Sequence, residues 1–552
     1  KILALKDYAG PPSPPAGGKF AEKCREYENS IQKFEAMDLS ASKEFGVILL
    51  TGATGYLGAY ILRELLETRT EKIALIVRAE GSEAALSRVI KKYEYYFGAK
   101  SLEKHLGKIE AYAGDLSKDN LGLNANDHSK LADAVGCIIN PAANVRHFGH
   151  YQEFYDANVR SVENLVAFAS EGRLKEFNHV STMSVASGDV KDARAILFTE
   201  SDMDVEQEVT NYYLKTKLEG EKAALSGRSK GIVVNIFRVG NLTFDSRSGL
   251  CQENLGENAF YQIFRSLALI GAVPDSGDEA EFSFVDLAGR AIVLLFSRKN
   301  LENLTHHIVN GNVVKLSEIL SSPESGMDIA VTNFGEFAGI MLSYLDDDFF
   351  KPMVENLLLH RDWISDMESR TAYFTKSLRT ARILKKLGFE WPAPSAGECF
   401  EMASAAMTER ADFLRKHPLF AGMSDHAIKK AALMTRETPY EDGAPIAWEN
   451  ERSARAHIIS EGNVELSKHS KNSWLGTISV IGPGDLVAFD AAITGGTSAV
   501  IAEAVMGRAR TVSLGNDNMI RLASEYPQFG LNLAREISKK LVRMQNIMVN
   551  IG

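Results

Sequence analysis

The sequence is short of cysteine. Its 552 residues contain four, Cys24, Cys137, Cys251 and Cys399, each more than a hundred positions from the next. No CxxC or other metal spacing occurs, which leaves no support for a disulfide framework or a zinc site and reads as reduced thiols in a cytoplasmic protein. Proline is also scarce, at 15 residues, and a composition of 45% hydrophobic and 24% charged residues excludes wholesale disorder and fibrous repeats. An excess of basic charge is missing too. Lys and Arg number 62 against 72 Asp and Glu, a formal charge of -10, so the broad cationic footprint of a nucleic-acid or anionic-lipid partner is absent. No apolar run reaches the roughly 18 residues of a spanning helix; the best, Leu267 to Val273 and Ala291 to Phe296, are of core length. No signal-peptide pattern is read at the N-terminus. The start at Lys1 rather than methionine is read as an excised piece of a larger protein or a trimmed chain.

What the chain does contain is length enough for about three or four domains. Four prolines and three glycines crowd into Ala9 to Gly18, a linker composition. A polar helical stretch from Lys19 to about Met37 follows. Apolar runs then alternate with helical patterns: GVILL (Gly46 to Leu50), KIALIVR (Lys72 to Arg78), GCIINPAA (Gly136 to Ala143), FNHVST (Phe177 to Thr182) and IVVNIFRV (Ile232 to Val239). Strands separated by helices predict an α/β fold with a parallel sheet covered on both faces. From Asn241 to about Thr408 the alternation weakens, as suits a lobe that covers a substrate. Beyond Arg410 short strands punctuated by Gly443, Gly462, Gly482 and Gly484 predict a separate small β domain. Its closing helix carries Leu533, Ile537, Leu541, Met544, Met548 and Ile551 in one stripe. Packing onto its own domain and a homodimer seam are both compatible with that stripe.

TGATGYLG, Thr51 to Gly58, sets Gly52, Gly55 and Gly58 between a strand and a helix. Glycines let backbone approach a pyrophosphate, and the amides and positive end of the helix stabilise its charge. Thr51, Thr54, Tyr56 and Leu57 fall in the same turn. The group that reads the adenosine ribose is expected about 20 residues after the last glycine, and Arg78 stands there. An arginine favours the 2′-phosphate of NADP, with Arg88 as a second contact; the alternative is a solvated Arg78, with Glu80 binding NAD. YLKTK places Tyr213 and Lys217 one helical turn apart. A lysine cation there is expected to lower the phenol pKa and to hold a ribose. Upstream, HVSTMSV ends a strand with the hydroxyls of Ser181, Thr182 and Ser184, groups able to bond a carbonyl oxygen.

In this order the motifs resemble the extended short-chain dehydrogenase/reductases. More narrowly, LLTGATGYLGAYILRELL, LIVRAE, GDL at Gly114 to Leu116, NPAANVRHFGHYQEFYDANV, HVSTMSV, YYLKTK and FRVGNLTFDSRSG look like the thioester reductase branch. Those are the reductive release domains of nonribosomal peptide synthetases, with carboxylic acid reductases and fatty acyl-CoA reductases as relatives. The resemblance spans roughly Gly46 to Thr408, with FSFVDLAGRAIVLL and HHIVNG in the second lobe. It implies a Rossmann-type doubly wound sheet and NADPH-dependent reduction of a thioester to an aldehyde, in some members to an alcohol. The substrate would ride on a phosphopantetheine-bearing carrier protein or on coenzyme A. It implies catalytic roles for Thr182, Tyr213 and Lys217, an ordering or relay role for Asn158, and adenine contacts from Asp115 and Leu116. Pro141, Ala142 and Ala143 follow a strand end where such sheets place ligands. Another extended oxidoreductase, acting on a sugar nucleotide or free alcohol, and a non-catalytic scaffold are the rival readings.

His147 and His150, and the adjacent His306 and His307, have no third ligand nearby in sequence, and no metal is expected. The domain division read from these features is a linker and helix to residue 45, a reductase domain over 46–410 divided near 240, and a β domain over 411–552. The last resembles the cyclic-nucleotide-binding β-roll through HPLFAGMSD, IISEGNVEL and GPGDLVAFDAAITGG. It departs from that family where ligand is held. Val487, Ala488 and Phe489 replace its Phe-Gly-Glu, and Thr497 and Ser498 replace its Pro-Arg, so a degenerate roll serving dimerisation, docking or another ligand is expected.

Overall fold

The computed structural model describes residues 14–146, 149–253, 258–275, 279–347, 350–360, 371–453, 455–469 and 475–549. A seven-stranded parallel sheet is its centre: β1 (Val47–Thr51), β2 (Lys72–Val77), β3 (Ile109–Ala113), β4 (Val135–Asn140), β5 (Glu176–Thr182), β6 (Val234–Val239) and β7 (Thr305–Ile308). The spatial order is β7-β6-β5-β4-β1-β2-β3. β4, β5 and β6 are buried at every residue, so none shows alternation; β4 is largely apolar, while β5 and β6 bury polar side chains including Asn178, Asn235 and Arg238. Helix α1 (Gly18–Ala36) precedes the sheet, α2 (Tyr56–Thr68) follows β1 and α3 (Ser82–Phe97) follows β2. One face of the sheet is covered by α2 and the helix Val285–Phe296, joining Ile61 and Leu65 to Ile292 and Phe296 in one core. The other is covered by Leu131, Val162, Leu165 and Phe168. Strand order reverses between β1 and β4, and their following loops part there to leave the crevice in which open α/β sheets hold ligands.

β3 and β7 lie outside the strands predicted from sequence, and β7 lies well past the division read near residue 240. The reason is in THHI, which has neither an apolar run nor alternation. Its histidines are buried by stacking, His306 on Phe237 at 5.4 Å and His307 on Phe198 at 6.1 Å. The chain therefore returns to the sheet after leaving it, and the helix Val285–Phe296 comes back with it.

Between these returns lies a lobe with helix α4 (Tyr212–Ser226) at its border and α5 (Ala259–Ile270) at its centre. Helix α6 (Ala396–Lys416) starts on a capping box in which Ser395 and Glu398 satisfy each other's backbone amides, and it ends at His417. It runs straight through the division read at residue 410. The C-terminal β domain follows α7 (Asp425–Met434) with β8 (Arg436–Tyr440), β9 (Pro445–Ala447), β10 (Arg455–His469), β11 (Leu475–Ile481), β12 (Leu486–Val487) and β13 (Ile501–Gly515). These form an antiparallel sheet in the order β8-β13-β10-β11, with β9 on β13 and β12 on β10. Phe264 and Leu267 of the lobe share one core with Phe420, Ile428, Ile458 and Val512 of the β domain. Val487 and Ala488 close a second, alanine-rich core inside the roll.

Helices α8 (Asn516–Glu525) and α9 (Pro527–Val549) end the described chain. Phe529 is buried and Leu533 packs beside the same core, whereas Ile537 is exposed. The side chains of Leu541, Met544 and Met548, and all of Ile551, lie outside the described residues.

Candidate active site

The turn after β1 is close-packed backbone. Gly52 has φ +60°, and a Cβ there would stand 2.9 Å from the Ala142 Cα and N. A Cβ on Gly58 would stand 2.0 Å from the Gly52 carbonyl oxygen. Side chains at either position would push the first turn of α2 away from the β1 and β4 edges. α2 starts at Gly55 with no side-chain cap, so its leading amides are left to whatever occupies the crevice. This is a cradle suited to a pyrophosphate. Neighbouring side chains are turned elsewhere. The Thr51 hydroxyl donates to Asn140 Oδ1 at 2.6 Å, Tyr56 donates to the Thr243 carbonyl at 2.6 Å, and Leu57 is buried in the core. Those three could offer a cofactor only their backbone, while Thr54 is half-buried beside the exposed Gly55.

At the far end of the crevice Arg78 and Glu80 are both exposed after β2, and the Arg88 guanidinium donates to the Arg78 carbonyl. Asp115 stands at the end of β3. Burial pushes its carboxyl up, but bonds from the Ser117 hydroxyl (2.8 Å) and amide (3.1 Å), with the charge of Arg78, outweigh that and hold it below the usual range. Leu116 presents its carbonyl to Asn164 Nδ2 at 2.9 Å. Pro141, Ala142 and Ala143 lie half-buried on the irregular loop after β4.

That loop is tied down by Asn158. Its Oδ1 accepts from the Asn144 amide at 2.7 Å, and its Nδ2 donates to the Asn144 carbonyl and to Thr216 Oγ1, both at 3.1 Å. Asn158 lies in a π-helical turn, Asp156–Arg160, and its carbonyl would be 2.5 Å from a Cβ on Gly220. Asn158 and Gly220 thus set how closely α4 approaches.

α4 is capped by Asn211, whose side chain accepts from the Leu214 amide. It carries Tyr213 and Lys217 towards the end of β5, where the Tyr213 phenol hydrogen-bonds the Thr182 side chain. Lys217 is buried, and its Nζ donates to the Val180 carbonyl at 2.8 Å. Here the structure corrects one expectation. The Tyr213 phenol is pushed up to about 12 by burial, only partly opposed by Thr182. Lys217 does not lower it, because the cation is directed at β5 and is itself pushed down to about 8 by desolvation, which the Glu221 carboxylate opposes.

Three groups near this site went unrecognised in the sequence. Arg238 and Glu221 form a fully buried pair at 2.7 Å that anchors α4 to β6. An arginine inside the apolar run IFRV could have signalled it, since buried arginines need partners. His179 is buried beside Asn140 at 3.2 Å and its imidazole is pushed well down by burial and by Lys217, so it stays neutral. Glu281 is packed against Gly240 just past β6, where burial raises its carboxyl to about 7. His306 and His307 are neutral core residues, and His147 lies outside the described residues. Among the described residues, no group of three or more His, Cys, Asp or Glu could hold a metal ion, and no helix is long and apolar enough to cross a membrane.

Comparisons with known proteins point the same way. The NAD-binding family described as Male sterility protein matches residues 50–292. The chain is 31% identical over 284 residues to a component of the linear gramicidin synthase of Brevibacillus parabrevis, covering 51% of this chain and 5% of that protein. It is 27% identical over 358 residues to a carboxylic acid reductase of Mycobacterium tuberculosis, covering 58% of this chain and 30% of that one. The chain thus spans a minor part of these relatives. Among solved structures, the terminal R domain of the myxalamid PKS-NRPS pathway superposes with TM-score 0.58 at 23% identity, over 69% of this chain and 98% of that one. The thiolation-reductase di-domain of an archaeal non-ribosomal peptide synthetase gives TM-score 0.57 at 24% identity, over 69% and 96%. At such identities the likeness is one of fold.

Proposed function

We propose that this chain, similar over residues 50–292 to an NAD-binding family and in fold to the reductase domains of peptide synthetases, is an extended short-chain dehydrogenase/reductase of the thioester reductase branch that reduces a carrier-bound or coenzyme A-bound acyl thioester to an aldehyde with NADPH. The single observation that supports this most is the junction of β5 and α4, where Thr182 and the Tyr213 phenol meet beside buried Lys217.

A nicotinamide cofactor would be held at the cradle of Gly52, Gly55 and Gly58, with Arg78 and Arg88 available to a 2′-phosphate and Asp115 and Leu116 to an adenine. When bound it supplies a hydride. The chain's own residues do the rest. The Thr182 and Tyr213 hydroxyls hold the thioester oxygen and stabilise the negative charge that develops on it. A phenol at about 12 stays protonated across the working range, so Tyr213 is in the donor form when that oxygen needs a proton. The resulting hemithioacetal expels the thiol and leaves an aldehyde. Asn158 acts as a positioning residue through Asn144 and Thr216.

The test is NADPH oxidation with acyl thioesters on carrier protein and on coenzyme A, with products identified by mass spectrometry. Thiol release with aldehyde or alcohol formation is expected. NADPH should be preferred over NADH by at least about tenfold, and Arg78→Ala should erase most of that preference. Turnover of a free alcohol or sugar nucleotide and of no thioester would move the assignment to the other extended reductases.

A pH dependence follows from Lys217. Its folded pKa is lowered to about 8, so the cation available to a ribose is present below that pH and lost above it. NADPH affinity of the free enzyme, followed by cofactor fluorescence, should therefore weaken as pH rises through about 8. The stability effect has the opposite sign. Between about 8 and the ordinary lysine value the unfolded chain binds the extra proton, so Lys217 makes stability rise with pH in that window.

A further inference from the structure

Four arginines from distant parts of the chain lie on elements that meet where the lobe joins the β domain: Arg265 of α5 bonds Leu433 at the end of α7, Arg410 of α6 bonds Tyr261 one turn from Arg265, and Arg436 of β8 and Arg455 of β10 flank the same residue of β13, Ser513. Burial depresses the Arg265 pKa, and the charges of Arg410, Arg455 and Arg436 depress it further. Arg455 is depressed by burial and by Arg436. The phenol of Tyr261 opposes this at Arg265 and that of Tyr440 at Arg455. Among the described residues their side-chain hydrogen bonds run to uncharged acceptors. Arg265 Nε donates to the Leu433 carbonyl at 2.7 Å and Arg410 Nη2 to the Tyr261 hydroxyl at 2.8 Å. Arg455 Nε and Nη2 donate to Ser513 Oγ at 3.0 Å and to its carbonyl at 3.2 Å. Arg410 Nε is fully buried with no acceptor among the described residues.

In a chain of net charge -10, guanidinium groups gathered on neutral acceptors, two of them depressed by burial, are stabilised by an anion that joins them. Guanidinium forks match phosphoryl oxygens, which can take two donors each and carry the opposite charge. We propose that this cluster binds a phosphoryl anion of two or more negative charges, held jointly by the lobe and the β domain. The site is separate from the cofactor crevice, and it draws two arginines from each side of the seam. It stands independently of the reductase reading. Such an anion would fasten the β domain to the lobe, using arginines that lie outside the roll's own apolar interior.

Titration calorimetry on the full chain tests this with inorganic phosphate, inorganic pyrophosphate and AMP as separate probes, at constant ionic strength and with NADPH saturating. One-to-one binding is expected, weakened at least about tenfold by Arg455→Met or Arg410→Met and unchanged by Arg88→Ala at the cofactor end. Arg436 is exposed, so Arg436→Met leaves packing intact and should also weaken binding if a buried variant fails to fold. Arg265→Met should raise the melting temperature in anion-free buffer, because it removes like-charge repulsion, and should lose the stabilisation that pyrophosphate confers. AMP binding more tightly than pyrophosphate, with the same arginine dependence, would identify a nucleotide phosphate as the source; the reverse would identify the free anion. Absence of saturable binding at millimolar concentration, or binding indifferent to all three Arg→Met variants at 410, 436 and 455, overturns the proposal.

Discussion

Tyr213→Phe is expected to lower kcat for thioester reduction by about 10²- to 10⁴-fold, the range for removing a positioned general acid, while leaving NADPH affinity within about twofold of the parent. The substitution removes one hydroxyl from a half-buried ring and keeps its shape, so the fold and the cradle at Gly52 to Gly58 are undisturbed. What is lost is the proton donor and one of two hydroxyls directed at the reacting oxygen. Thr182 remains and can still donate a hydrogen bond, since its Oγ only accepts from the Ser184 amide at 3.2 Å, but an aliphatic hydroxyl is a much weaker acid than a phenol and does not replace the proton donor. Single-turnover kinetics with NADPH prebound would separate the chemical step from binding. A variant with full activity would sink the assignment of Tyr213 as the acid.

The second large effect lies at Gly58. An alanine there would place its Cβ 2.0 Å from the Gly52 carbonyl oxygen and 3.2 Å from the Ala53 Cα. These contacts are backbone, which cannot rotate aside, so the start of α2 must move outward. Gly58→Ala should therefore cost about 1–3 kcal/mol of stability, as overpacking does. A displacement of order 1 Å in the cradle should weaken NADPH binding by about 100-fold, the usual penalty for that misplacement. Two companion variants grade the effect. At Gly55 the corresponding contact is 3.2 Å, so Gly55→Ala should be milder. At Gly81 nothing lies within 4 Å, so Gly81→Ala should leave binding unchanged. Thermal melts and fluorescence titration of NADPH across the three variants make the comparison; equal affinities would refute the packing argument.

Much of the sheet was legible because its strands are buried on both faces. β1, β2 and β4 are largely apolar runs bounded by turns and helices, and such a run has few other solutions in a chain of alternating helices; β5 and β6 carry polar residues and were read from their place in that alternation. The glycine turn was legible for a related reason: only glycine tolerates the approach of Ala142 to Gly52 and of Gly52 to Gly58. β7 was not legible, since a strand made of threonine, two histidines and isoleucine carries no local pattern and is stabilised by rings on other strands. Residue 410, where the division was read, lies inside α6, which the capping box at Ser395 starts and which runs to Lys416.

The amino-acid sequence by itself determined the parallel α/β core, the glycine cradle, the Tyr213 and Lys217 spacing and the presence of a second, β-rich unit. Each depends on residues within a few turns of one another, where periodicity and steric limits act locally. Only the tertiary structure decided the charge states and partnerships. Burial at the end of β5, not proximity to a cation, sets the Tyr213 phenol high. The Arg238 and Glu221 pair, the Asn158 clamp on Asn144 and Thr216 and the four-arginine seam join residues on different elements of the fold. Electrostatic energy depends on distance and desolvation in three dimensions, and neither quantity is written along the sequence.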